Sequence, residues 1–259
     1  HSGERAHKAM GRAPAGKLTV LGVLIAAILS IPVLVVFASV FRPSGGVWAH
    51  LAATVLGDYV ANTVLLVLGV AAGTAIGGVA AAWLVTMTRF PMSRALEWAL
   101  VLPLAMPTYV VAYAYTDFLQ VSGTAQTMLR EMTGWLARDY WFPEIRSVHG
   151  AVMVMTFTLY PYVYLLARAA FLEQSVCALE VGRTLGCGPW RNFFRVALPL
   201  ARPAIVGGVA LALMETLADF GTVEYFGVQT FTTGIYRTWF GLGEPVAAAQ
   251  LSATLMLFV

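Results

Sequence analysis

Apolar runs of membrane-spanning length alternate with short breaks that carry arginine, glycine or proline. The first run, Leu18 to Phe41, holds no charged residue and is long enough to cross about 30 Å of hydrocarbon. A second runs from about Val60 to Thr88 and places Gly69, Gly73 and Gly77 at four-residue spacing, a stripe that lets helix backbones approach closely in lipid. A third, about Ala95 to Leu119, contains Pro103 and Pro107, which remove backbone donors and predict a kink. The fourth, about Val148 to Leu166, carries Pro161 near its end, and the fifth starts near Pro203 and reaches about Gly221. A sixth apolar run, Val246 to Val259, is shorter than the roughly 20 residues a span needs, so that helix is expected to be incomplete at residue 259. Between the third and fourth runs, Leu129, Met132, Leu136 and Tyr140 fall at helical spacing, as for an interfacial helix.

These runs predict an all-α, polytopic membrane bundle of about six transmembrane helices, residues 18–259, preceded by a polar segment, residues 1–17. Charge orients it. Eleven of the 16 lysines and arginines lie on one side, before the first run, between the second and third, and between the fourth and fifth. Only Arg42, Arg130, Arg138, Arg146 and Arg237 lie on the other. The excess of basic residues marks the cytoplasmic side, so the N-terminal segment is cytoplasmic. Composition agrees: 59% of residues are hydrophobic, 11% are charged and mean hydropathy is +0.76. A water-soluble domain carries about 25% charge. The net charge of +3 is not gathered into a basic stripe with stacking aromatics, which excludes nucleic acid as a partner. Cys177 and Cys187 both fall on the predicted cytoplasmic side, where a disulfide is disfavoured.

The longest cytoplasmic stretch, about residues 168–202, has the pattern of a helix–turn–helix rather than a plain connector. A helical segment ends at Gly186, which can take a left-handed backbone, and Pro189 suits the first turn of a second short helix. Trp190, Phe193, Phe194 and Ala197 share a face of that helix, while Arg191, Asn192 and Arg195 lie off it. Exposed apolar surface rimmed by charge fits a docking site; it also fits an amphipathic segment on the lipid interface.

Glu180-Val181-Gly182, then Gly186 after three residues, Val196 after nine more, and Leu198-Pro199 after one resemble the cytoplasmic motif of ABC importer permeases. Val-Gly stands for the family's Ala-Ala and Val for its Ile. The resemblance implies the MetI-like type I importer fold, with Glu180, Gly182, Gly186, Trp190, Phe193, Phe194, Leu198 and Pro199 as the element that couples to a separate ATPase subunit. It also implies a periplasmic or extracellular substrate-binding protein and a second permease half, fused or as a dimer. Within that family, the segments Glu215 to Arg237 and Pro103 to Tyr109 are similar to ferric-iron permeases, of which this chain looks like the first half. Permeases for thiamine, phosphonates and other small anions share much of the pattern.

Glu215 and Asp219 are four residues apart and are expected on one helix face, where intramembrane carboxylates mark a cavity or a partner. They are candidates for a translocation path, with Glu224 and Tyr109, or for a structural pair. No set of metal ligands is predicted. The chain carries no zinc-binding pair of helical histidines, no nucleophile elbow and no phosphate-binding loop. An enzyme is therefore not expected, and ATP with its magnesium ion belongs to the partner ATPase. A self-sufficient secondary transporter or channel is the competing class.

Overall fold

A computed structural model describes residues 15–43, 46–88, 91–173 and 188–257. Within these the chain is helical, with no β-strand. Helix α1 spans Ala15–Ala38 and ends in a 3-10 turn, Ser39–Phe41. A short surface helix α2, Val47–Thr54, leads into α3, Leu56–Met87. Helix α4, Ser93–Ala99, a 3-10 turn at Leu102–Ala105 and α5, Thr108–Leu119, follow, then α6, Thr124–Thr133, and α7, Val148–Glu173. After the loop come α8, Pro189–Asn192, a π-helical turn at Phe193–Ala197 and α9, Leu198–Ala218. The chain closes with α10, Gly221–Tyr225, α11, Phe231–Tyr236, a π turn at Arg237–Gly241, and α12, Pro245–Met256.

Among the described residues, four helices are long and apolar enough to cross a membrane: Leu18–Phe41, Leu56–Met87, Val148–Glu173 and Trp190–Ala218. A fifth crossing is possible through the pair Ser93–Ala105 and Thr108–Thr133, which meet at 98°. The sixth apolar run forms α12, whose 12 residues do not span. Nearly every large side chain of α1 is exposed, including Leu18, Leu29 and Leu34. Such a surface is stable only against lipid or another apolar helix.

The core is a three-helix sandwich in which α7 lies between α3 and α9. Two glycines of the predicted stripe, Gly69 and Gly73, make close contact, whereas Gly77 has only Tyr160 Cβ at 3.8 Å and its neighbour Gly78 takes that place. A methyl group added at Gly73 would stand 2.5 Å from Thr156 Oγ1, and one at Gly78 would meet Val163 Cβ at 2.6 Å and the Tyr160 carbonyl at 2.9 Å. From the other side, Gly208 of α9 brings that helix onto Val163 in the same way. Polar groups tie the remaining elements down. Gln250 of α12 is buried; it donates to the carbonyls of Ser39, 3.0 Å, and Arg42, 2.8 Å, and accepts from the Trp48 indole. One glutamine thus satisfies the open carbonyls where α1 ends.

Three expectations are corrected. The third run is not one kinked span: with Pro103 inside the 3-10 turn and Pro107 at the start of α5, the backbone breaks and turns sharply. The fifth span does not begin at Pro203, which sits inside α9; the helix runs back continuously to α8. The π turn makes this possible, because Leu198 donates to the Phe193 carbonyl five residues back and so carries the helix across the missing donor of Pro199. The outer interfacial helix ends earlier than its apolar spacing suggests, since Gly134 takes a left-handed backbone, φ 71°, and caps it. Leu136 and Tyr140 lie beyond that cap.

Candidate functional site

Where the third run breaks, it opens a cavity of about 500 Å³ between the start of α5, the middle of α7 and the end of α9. Tyr109 and Thr108 come from α5, Thr158 and Tyr162 from α7, and Glu215 and Asp219 from the last turn of α9. Four hydroxyls and two carboxylates therefore face one space. Among the described residues, no lysine, arginine or histidine lines it. Thr158 donates back to the Val154 carbonyl, 2.9 Å, the usual way a buried threonine is satisfied inside a helix.

The two carboxylates are not equivalent. Helix α9 ends at Ala218, so Asp219 is its C-cap rather than a member of the same helical face. Its two oxygens accept from Thr222, the backbone N–H at 2.8 Å and the hydroxyl at 2.6 Å. Asp219 is thus engaged by the first turn of α10, one residue before its N-cap Phe220. Glu215 is exposed to the cavity and has no hydrogen-bond or ion-pair partner among the described residues. Glu224 is absent from the lining; it pairs with Arg237 at 3.4 Å on another surface. The structure therefore brings Tyr109, Glu215 and Asp219 together and leaves Glu224 out. Among the described residues no cluster of three histidine, cysteine, aspartate or glutamate side chains occurs.

The expected coupling element is divided by what is described. Glu180, Gly182 and Gly186 lie outside the described residues. Trp190 and Phe194 are exposed, 71 and 59%, and stack on each other with ring centroids 6.5 Å apart. Phe193 and Ala197 do not share that face. They are buried, with Phe193 against Trp83 of α3 at 4.6 Å and Trp83 in turn edge-on to Phe171 of α7 at 5.5 Å. The four residues form two neighbouring stripes of one helix, residues 190 and 194 outward, 193 and 197 inward. Leu198 and Pro199 are half-buried behind them. Trp190, Phe193, Phe194 and Leu198 also line an apolar groove of about 690 Å³ that runs along Ile76, Ala80 and Leu84 of α3.

Sequence reading passed over two features nearby. Arg168 of α7 holds Glu97 of α4 at 2.8 Å. Tyr160 and Tyr164 of α7 donate to the Leu100 and Glu97 carbonyls at 2.9 and 3.2 Å. The signal available was a pair of opposite charges at the predicted cytoplasmic ends of two spans.

Comparison with known proteins agrees with this architecture. The family described as binding-protein-dependent transport system inner membrane component matches residues 73–259. The molybdenum transport system permease protein ModB of Escherichia coli is 33% identical over 150 residues, covering 58% of this chain and 62% of that protein. The sulfate transport system permease protein CysT of the same organism is 31% identical over 151 residues, covering 57 and 50%. The Fe(3+)-transport system permease protein FbpB 2 of Haemophilus influenzae is 27% identical over 201 residues, covering 78% of this chain and 35% of that one. The chain therefore spans less than two thirds of the length of each of these relatives. A bacterial alginate ABC transporter, solved with an alginate-bound periplasmic protein, superposes with a TM-score of 0.70 at 16% identity, covering 93% of this chain and 88% of its own. A second structure of a bacterial ABC transporter that imports alginate gives 0.69 at 17% identity, covering 98 and 95%. At such identity the likeness shows the fold.

Proposed function

Because the chain belongs to the family of binding-protein-dependent transport system inner membrane components, we propose that it is the permease subunit of an ATP-driven importer and that its cargo is ferric iron. In this reading a separate binding protein delivers the cargo to the outer side. A partner ATPase, carrying ATP and magnesium, engages residues 180–199 on the inner side, and a second permease half completes the path. The observation that carries the cargo is the cavity lining. Two carboxylates, phenols and hydroxyls with no basic side chain suit a hard cation, which takes oxygen ligands. They oppose an oxyanion by about 1–4 kcal/mol per pair of unit charges at contact distance, according to how wet the cavity is. Glu215, unpartnered, is the group free to meet the cargo; Asp219, bound to Thr222, is a weaker candidate. One carboxylate without a closed ligand cage allows passage without trapping.

A second reading, an oxyanion importer, is favoured by the greater identity to the molybdenum and sulfate permeases, 33 and 31% against 27%. Uptake of radiolabelled ferric iron, molybdate and sulfate into proteoliposomes holding the full complex separates the two. Iron uptake should fall about tenfold in Glu215→Gln, the loss expected when a charged contact in the path is removed, with insertion and ATPase association unchanged. Uptake of molybdate or sulfate and not of iron would overturn the cargo and leave the permease standing.

A further inference from the structure

We infer that the Glu97–Arg168 ion pair locks the inner half of the broken span to α7, so that movement of the ATPase-facing end of α7 is delivered to the wall of the cavity. The inference rests on the permease reading above. Its first support is the density of ties at one place. The guanidinium of Arg168 donates to the Glu97 carboxylate at 2.8 Å, both side chains being about 30% exposed. Tyr164 donates to the backbone carbonyl of the same Glu97, and Tyr160 to that of Leu100. Three side chains on successive turns of one helix therefore hold a helix of seven residues, α4, which is too short to be stable alone.

The second support is what lies at each end of this unit. Arg168 stands one turn before Glu173, where the described part of α7 ends and the candidate coupling loop begins. On the other side, Leu96, Leu100 and Val101 pack into the apolar cluster built by Tyr164, Phe171 and Phe193. The chain then continues into Leu104–Pro107, which line the cavity together with Glu215. The third support is the 98° break that follows. Pro107 has no N–H to continue the helix, so the backbone bends there, and α5 beyond it packs on α7 separately, through Ala112 and through Tyr115 stacked on Phe157. The α4 unit and α5 are thus each joined to α7, at separate places on either side of the break. Glu97 and Arg168 are thus positioning residues: they touch no cargo and act through the wall they hold.

The pair is tested in the full complex, reconstituted with its ATPase and binding protein, by measuring cargo taken up per ATP hydrolysed, with ferric iron and molybdate as the probes. Glu97→Gln and Arg168→Gln should each lower that ratio about tenfold, the range of coupling changes seen for residues remote from both sites, while the stimulated ATPase rate persists. The exchanged pair, E97R with R168E, should restore most of the ratio. A bis-thiol cross-link between E97C and R168C, in a chain with Cys177 and Cys187 replaced by serine, should leave transport intact, because the two segments move together. A wild-type ratio in both single variants, failure of the exchanged pair to recover transport, or loss of transport on cross-linking would each overturn the inference. Failure of the permease reading itself gives a different result, a wild-type chain that binds no ATPase.

Discussion

Gly78 sits where a side chain has no room: its missing Cβ would fall within 3 Å of Val163 Cβ, of the Tyr160 carbonyl oxygen and of the Tyr164 nitrogen. Gly57, near the start of the same helix, has nothing within 4 Å. Gly78→Val should therefore force α3 and α7 apart and cost about 1–3 kcal/mol of bundle stability, the usual cost of overpacking. Gly57→Ala should be neutral. Thermal unfolding of the two variants in detergent, followed by tryptophan fluorescence, measures the contrast; equal melting points would show that the close contact is not where the stability lies. The close contacts of Gly69 and Gly73 were legible in the sequence because membrane helices meet through small residues; that of Gly78 was not, since the four-residue spacing points to Gly77. The role of Asp219 was not read. Its four-residue spacing from Glu215 suggested a shared face, yet the helix ends at Ala218 and Thr222, three residues on, takes both carboxylate oxygens.

Trp190, Phe193, Phe194 and Ala197 belong to one continuous helix but to two stripes of it, and the stripes make different predictions. Phe193→Ala removes a buried ring packed on Trp83 and should cost about 3–5 kcal/mol of stability, as for other buried aromatic truncations. Trp190→Ala and Phe194→Ala remove exposed rings; they should leave the melting point of the bundle unchanged and weaken ATPase association. Melting and co-purification measured side by side separate the two classes. Loss of stability without loss of the ATPase in the Trp190 variant would contradict the docking assignment. The apolar runs located α1, α3 and α7 well, because length and the absence of charge are sufficient signals for a span. They misplaced the start of the fifth helix, since a proline such as Pro203 reads as a boundary, whereas it sits inside α9 and the π turn carries the helix on past Pro199. The broken third run was legible only as a kink: Pro103 and Pro107 announce lost hydrogen bonds, but the size of the turn depends on the anchoring of α4 by Arg168, Tyr160 and Tyr164, which join residues far apart in sequence.

At the scale of the whole molecule, a three-helix core of α3, α7 and α9 carries a polar cavity, and helix α1, held near its end by α12, leaves its apolar length exposed. Neither is complete as it stands. The cavity is open, and α1 buries almost none of its apolar surface. Both features fit a subunit that works within a larger assembly. What was legible at this scale was the class, from composition, charge asymmetry and the cytoplasmic motif; the cavity was not, because its lining is drawn from three segments that only the fold brings together. The central claim, that this chain conducts cargo under the drive of a separate ATPase, is tested most directly by cargo uptake into proteoliposomes containing the chain with its ATPase and binding protein. The account predicts uptake that requires ATP on the ATPase side and the binding protein on the other, and that vanishes when the ATPase is omitted. Uptake by the chain without the ATPase, driven by an ion gradient alone, would contradict it.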